Sequence, residues 1–168
     1  VGSFAGAMQA LLIENFGLKS PITIICEPNG ANCIYKSFKE DDGKPHNVTG
    51  DLKPIMAGLA CGEPNTISWE ILRDYSNFAF SCDNSSSTKG MRVLSSPIAQ
   101  DKRIISGESG AVGIGAFVTL CENQKEYKEL WKKLNINKES CILCISTEGD
   151  TDEIAYKNVV WNGWYKNN

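Results

Sequence analysis

Histidine is nearly missing: His46 is the one imidazole in 168 residues, and it lies in a polar stretch with no obvious nucleophile beside it. No Gly-x-Ser-x-Gly turn accompanies it, so hydrolysis by a Ser-His-Asp arrangement has no support. Positive charge is not in excess either. The 17 lysines and arginines face 20 aspartates and glutamates, a net charge of −3, and no basic footprint argues for nucleic acid. No apolar run reaches the roughly 18 residues of a membrane-spanning helix, and the longest helical candidate, Ser3 to Phe16, is interrupted by Glu14. The opening Val1-Gly2-Ser3-Phe4 is neither basic nor an apolar stretch, so it does not read as a secretory signal. Cys141 and Cys144 form a Cys-x-x-Cys with no second pair to join it. Three residues apart on a strand they would face opposite ways, so no metal site is expected.

The chain is otherwise ordinary in make-up. Its 42% hydrophobic and 22% charged residues are close to globular averages, and residues 1–168 are expected to form one compact unit. The seven cysteines are odd in number and scattered, which points to reduced, mostly buried thiols in a cytoplasmic protein. Cys33 and Cys61 flank a polar loop, and spacing leaves open whether they pair. The chain opens on a glycine-rich turn rather than a leader, as a piece of a longer polypeptide would.

Periodicity supplies the elements. Ser3 caps a helix through Phe4, Ala7, Met8, Leu11 and Phe16, which Gly17 ends. Ile22 to Cys26 is a β-branched run that reads as a buried strand, followed by a turn at Glu27-Pro28-Asn29-Gly30. Lys36 to Gly50 is polar and reads as an exposed loop. A helix is expected around Ser68 to Tyr75, a strand at Phe78 to Cys82, and a helix from Asp83 to Leu94 capped by Asp83 or Ser85. A long apolar helix follows Gly107 through Leu120, then a charged one from Tyr127 to Leu134. Cys141 to Ile145 reads as a buried strand, and a closing helix holds Ile154, Val159, Val160 and Trp161. Strands alternating with helices predict an α/β layered domain with a largely parallel sheet flanked by helices.

In such sheets ligands bind where strands end and helices begin. Val1 to Gly6, Gly107 to Gly110 and Ser146 to Asp150 fit that position. The first opens a helix with small residues, whose backbone N–H groups suit a phosphate; a plain tight turn is the competing reading. A glutamate such as Glu108 at a helix start is more often a dipole-favoured surface acid, and a serine such as Ser146 more often a cap for the next helix.

Five stretches follow in order: Val1-Gly2-Ser3-Phe4-Ala5-Gly6, Ala57 to Asn65, Gly90-Met91-Arg92-Val93-Leu94, Ile105 to Gly113, and Ile145 to Asp152. The series resembles the C-terminal part of diaminopropionate ammonia-lyase, a pyridoxal-phosphate enzyme of the tryptophan synthase β-like, fold type II group. The resemblance covers essentially the whole chain. Glu-Ser-Gly-Ala-Val-Gly from Glu108 and Ser-Thr-Glu-Gly-Asp-Thr-Asp from Ser146 are its most specific parts.

The resemblance implies an incomplete fold type II domain and a lyase converting 2,3-diaminopropionate to pyruvate and ammonia by Cα proton abstraction and β-elimination. It implies that Val1, Gly2 and Ser3 close the loop holding the cofactor phosphate. Ser146, with Thr147 beside it, would face the pyridine nitrogen. Glu108 and Ser109 would line the ring's edge, and Gly58 to Glu63 would wall the same pocket. No catalytic residue is expected in this chain, because the family's Schiff-base lysine and proton-transfer carboxylates precede the matching region. Alone, the chain is expected to be inactive. The intact enzyme would act in the cytoplasm as a homodimer on a small amino acid, with no nucleic-acid or membrane partner. Two other readings stand beside this one: a serine or threonine deaminase-type fragment of the same fold, and a non-catalytic phosphate-ligand-binding module.

Overall fold

The computed structural model describes residues 1–165, and the chain divides into two compact units, Val1–Cys82 and Asp83–Asn168. Among the described residues no helix is long and apolar enough to cross a membrane.

The first unit is built on two parallel strands, β1 (Ile24–Pro28) and β2 (Phe78–Cys82), in register from Ile24 opposite Phe78 to Pro28 opposite Cys82. Parallel neighbours need a long crossover. It is supplied here by α2 (Cys33–Glu40), a short 3₁₀ turn at Ala57–Leu59 and α3 (Thr66–Tyr75). Ile25, Cys33, Ile34, Trp69 and Leu72 form the core, with Val1, Ala5, Phe38, Val48 and Ala79 packed on it. Phe38 meets Trp69 edge-on with ring centres 5.4 Å apart, the arrangement that sets a positive ring edge on a negative face. Asn65 starts α3 by accepting the Ser68 N–H at 2.9 Å.

Helix α1 (Ser3–Phe16) packs on α3, and Gly6 permits the approach: a Cβ there would come within 2.8 Å of the Ser68 Cβ. The inward face of α1 is not the apolar stripe expected from periodicity. Gly6 and Gln9 are the buried positions, while Phe4, Leu11 and Phe16 are each about half exposed. Ser3 does not cap this helix. Gly2 occupies the cap position and Ser3 is the first helical residue.

In the second unit α4 (Asn84–Ser95) and α5 (Glu108–Glu122) are the principal packed pair, with α7 (Glu153–Val160) against α4 and α6 (Lys128–Leu134) following α5. Their approach is backbone on backbone. A Cβ on Gly90 would sit 2.1 Å from the Ala111 carbonyl oxygen, and one on Gly115 would sit 1.7 Å from that of Ser86. Met91, Ala111, Tyr156 and Val159 close the core beside this crossing. Asp83 caps α4 through the Ser86 N–H at 2.8 Å, and Asp152 caps α7 through the Ala155 N–H at 2.9 Å.

The α/β class and the parallel sheet are as expected; several boundaries are not. β1 lies two residues later than the β-branched run, so Glu27 and Pro28 belong to the strand and only Asn29-Gly30 turn. The polar loop from Lys36 is helical as far as Glu40, because Cys33, Ile34 and Ser37 supply a buried face that charge obscured. Cys141 to Ile145 is irregular and exposed rather than a buried strand. A strand exists only where a neighbour takes its N–H and C=O groups, and no described strand pairs with this run. Thiol burial is also less than expected: Cys33 and Cys82 are buried, whereas Cys61, Cys141 and Cys144 are exposed. Cys33 and Cys61 are both free thiols.

Candidate cofactor site

Val1, Gly2 and Ser3 belong to the first unit. Gly2 has φ 92°, the left-handed region that only glycine enters freely, and a Cβ there would press to 3.3 Å on the Ile34 and Leu72 methyls. Its carbonyl accepts the Gly6 N–H at 2.7 Å and so begins α1. Val1 is fastened on both sides: its nitrogen donates to the Glu63 carbonyl, and its own carbonyl accepts the Asn65 N–H at 2.8 Å. The end of the loop Gly58 to Glu63 therefore does lie against Val1. Among the described residues no side chain caps α1. The N–H groups of its first turn, which no helix satisfies internally, are left to water or an anion.

The buried acid of this unit is Glu27, only 4% exposed. One carboxylate oxygen accepts the Ile34 N–H at 3.1 Å and the Cys33 thiol; the other accepts the Tyr35 N–H at 2.7 Å. It thus caps α2 from β1. Burial raises its carboxyl above the ordinary range, against the downward pull of the Tyr35 and Ile34 N–H groups. Burial, with the Glu27 charge beside it, also pushes the Cys33 thiol up to about 12, which keeps it protonated and unreactive.

In the second unit the structure brings Glu108, Ser109, Ser146 and Thr147 together. Gly107 is the cap residue of α5 and has no side chain to offer. Glu148, from the irregular loop, fills that role: its Oε1 accepts the Ser109 N–H and, at 3.3 Å, the Gly110 N–H. Its carbonyl accepts the Gly107 N–H at 3.2 Å. A carboxylate at this end of a helix also complements the macrodipole. The Ser146 hydroxyl lies 2.7 Å from that of Ser106 and donates at 3.3 Å to the Glu148 carbonyl. Gly110 makes room for all of this, since a Cβ on it would fall 2.7 Å from Ser106 Oγ, 2.9 Å from Ser146 Oγ and 3.1 Å from the Thr147 nitrogen. Burial raises the Glu108 carboxyl, and the nearby charges of Glu148 and Asp152 add to the rise. The Ser109 hydroxyl is buried, with no hydrogen-bond partner among the described residues.

The sequence alone does not mark Glu148 and Ser106 as the supports of this site. The available signal was the helix that begins on Gly107: a glycine cap supplies no acceptor, so the first turn has to find one elsewhere. The acid inside Ser146-Thr147-Glu148 was the candidate.

No family model matches the chain. Over 164 residues, 97% of its length, it is 47% identical to the diaminopropionate ammonia-lyase of Salmonella typhimurium, spanning 40% of that protein. The enzyme of Escherichia coli K12 is likewise 47% identical over 163 residues, with 40% of its length covered. The chain is homologous to part of diaminopropionate ammonia-lyase. It spans about two fifths of the length of these curated relatives. The structure of the Escherichia coli diaminopropionate ammonia-lyase in complex with D-serine superposes with a TM-score of 0.87 at 44% identity, over 98% of this chain and 40% of that one. A second structure of that diaminopropionate ammonia-lyase, in complex with an aminoacrylate-PLP azomethine reaction intermediate, gives 0.85 at 44% identity, again over 98% and 40%. Threonine deaminase isoform 2 of Solanum lycopersicum shares the fold at 17% identity, with a TM-score of 0.69 over 95% of this chain and 42% of its own. The α/β layout is that of fold type II enzymes, of which the chain covers a part.

Proposed function

We propose that residues 1–168 are the C-terminal portion of a pyridoxal-phosphate-dependent carbon–nitrogen lyase acting on 2,3-diaminopropionate, with pyruvate and ammonia as products. The observation that carries this reading is the identity of 47% to diaminopropionate ammonia-lyases across 97% of the chain.

The donor chemistry of each unit, taken by itself, suits a part of the cofactor. The first turn of α1, which follows Gly2 at a positive φ, offers backbone N–H groups of the kind that hold a phosphate dianion. Val1, Gly2 and Ser3 are assigned that role. In the second unit the Ser146 hydroxyl, packed beside Gly110 and Ser106, is a neutral donor of the kind that suits an unprotonated pyridine nitrogen. Ser146, with Thr147, is assigned to that nitrogen; Glu108 and Ser109 are assigned to the ring's edge. When bound, the cofactor would supply an electron sink for the carbanion formed on the substrate. What these residues do is bind and orient. The amine that anchors the cofactor and the bases that move protons are assigned to polypeptide preceding this region, so the chain by itself is inactive in this reading. The intact enzyme is proposed to be a cytoplasmic homodimer. The half-exposed Phe4, Leu11 and Phe16 on α1 are apolar surface that a subunit contact would bury.

The test is titration of the chain with pyridoxal phosphate, followed in the visible absorbance with and without borohydride. Saturable binding that borohydride does not make covalent is the expected result. No saturable binding would overturn the cofactor assignment, and covalent fixation would overturn the absence of an anchoring lysine. Pyruvate release by the full encoded protein, compared for diaminopropionate, serine and threonine, tests the substrate.

A further inference from the structure

Ser106 is fully buried, one residue before the cap of α5, and nothing in the proposed roles uses it. Its Oγ stands 2.7 Å from the Oγ of Ser146, and either hydroxyl can donate. The two differ in setting. Ser106 is sealed from solvent, whereas Ser146 is an exposed residue of the loop. Gly110 closes the near side, since even a Cβ would be within 3 Å of both oxygens.

A hydroxyl has one proton to give and two lone-pair positions to fill. Ser146 can place that proton on Ser106, on the Glu148 carbonyl 3.3 Å away, or on an outside acceptor. If its proton goes outward, its oxygen is left facing Ser106, whose own proton then turns toward it. Buried hydroxyls seek such a partner, and a hydroxyl that accepts one hydrogen bond becomes a stronger donor in the next. We infer that Ser106 is a positioning residue: it donates to Ser146 and thereby directs the Ser146 proton toward the ring nitrogen of the pyridoxal cofactor. This rests on the reading that Ser146 faces that nitrogen. Glu148 braces the same arrangement, holding the loop onto the start of α5 through the Ser109, Gly110 and Gly107 N–H groups.

The experiment uses the full encoded protein loaded with pyridoxal phosphate carrying ¹⁵N in the ring. The ring-nitrogen chemical shift reports the hydrogen bond it accepts, and a purely structural role for Ser106 would leave it in place. Ser146→Ala is expected to move the resonance to that of a nitrogen without a donor. Ser106→Ala should move it part of the way and weaken pyridoxal-phosphate binding about fivefold, the scale of one neutral hydrogen bond. Ser106→Cys, nearly equal in size but a weaker donor, should fall between wild type and Ser106→Ala; it carries the test if the alanine variant loses its far-UV circular dichroism. A resonance that moves in Ser146→Ala but stays at its wild-type position in both Ser106 variants overturns the inference and leaves the reading of Ser146 intact. A resonance unmoved in Ser146→Ala overturns that reading itself.

Discussion

Helices α1 and α5 both begin on a glycine that contributes no side-chain cap, yet their first turns are treated differently. In α5 the amide donors are taken by Glu148, whose backbone and carboxylate together fasten a loop without regular structure. In α1 no side chain of the described residues takes them, and Gly2 packs against Ile34 and Leu72. The same physical object, a row of N–H groups at the positive end of a dipole, is thus a fastening in one unit and, in the proposed reading, an anion seat in the other. The deciding factor is whether a carboxylate is delivered to the turn. Helix α2 confirms the point, since Glu27 on β1 reaches its first turn as Glu148 reaches that of α5.

The contrast breaks most completely if α5 is displaced. Gly115→Ala puts a methyl where the Ser86 carbonyl oxygen already stands, and a loss of about 3 kcal/mol is expected. Urea unfolding reads it as a lower midpoint, and an unchanged midpoint would show that α4 and α5 part at little cost. Glu27→Gln tests the other carboxylate cap. An amide has one acceptor oxygen for amides that now bond to both oxygens, so about 2 kcal/mol should be lost. The sign with pH follows from the raised carboxyl. Between about 4.3, the unfolded value, and the higher folded one, the folded chain keeps a proton that the unfolded chain releases. Its stabilising contribution therefore declines as pH rises through that window. Glu27→Gln lacks this slope, so its deficit against wild type should shrink from acid toward neutral pH in paired urea titrations. A deficit that grows instead would reverse the assigned shift.

Gly2→Ala sharpens the contrast from the α1 side. A left-handed backbone costs an alanine about 1–2 kcal/mol, and the methyl would press on Ile34 and Leu72. Calorimetry should show that loss, with weaker pyridoxal-phosphate binding; unchanged binding would detach the α1 seat from the cofactor. The smallest effect is expected from Glu148→Gln, about 1 kcal/mol for a charge removed from a helix N-terminus. Faster amide exchange at Ser109 and Gly110 would report the loosened cap, and unchanged protection there would mean that the charge contributes little.

Much of this arrangement was legible in the residues. Phe78 to Cys82 was bounded correctly as a strand, and Asp83 announced α4, because alternation and capping are local properties. Failures came where a distant partner decides. Cys141 to Ile145 has strand composition but no described strand beside it, and the face α1 buries is set by α3 rather than by its own stripe. In the candidate site the exposed hydroxyl of Ser146 and the acid of Glu108 were visible as motif. The bonds that Ser106 makes to Ser146 and Glu148 to the Ser109 and Gly110 N–H groups were not: each joins partners 38 to 40 positions apart, and no spacing rule encodes that distance.

The uncharged run Cys-Ile-Leu-Cys-Ile has a further consequence. Leu143 is 77% exposed, and neither proline nor charge interrupts the five residues. Such a ribbon is suited to stack on its own copies in a cross-β fibre, with the flanking Glu139 and Glu148 as its gatekeepers. By bonding Glu148 to a helix, the protein turns one of those guards inward.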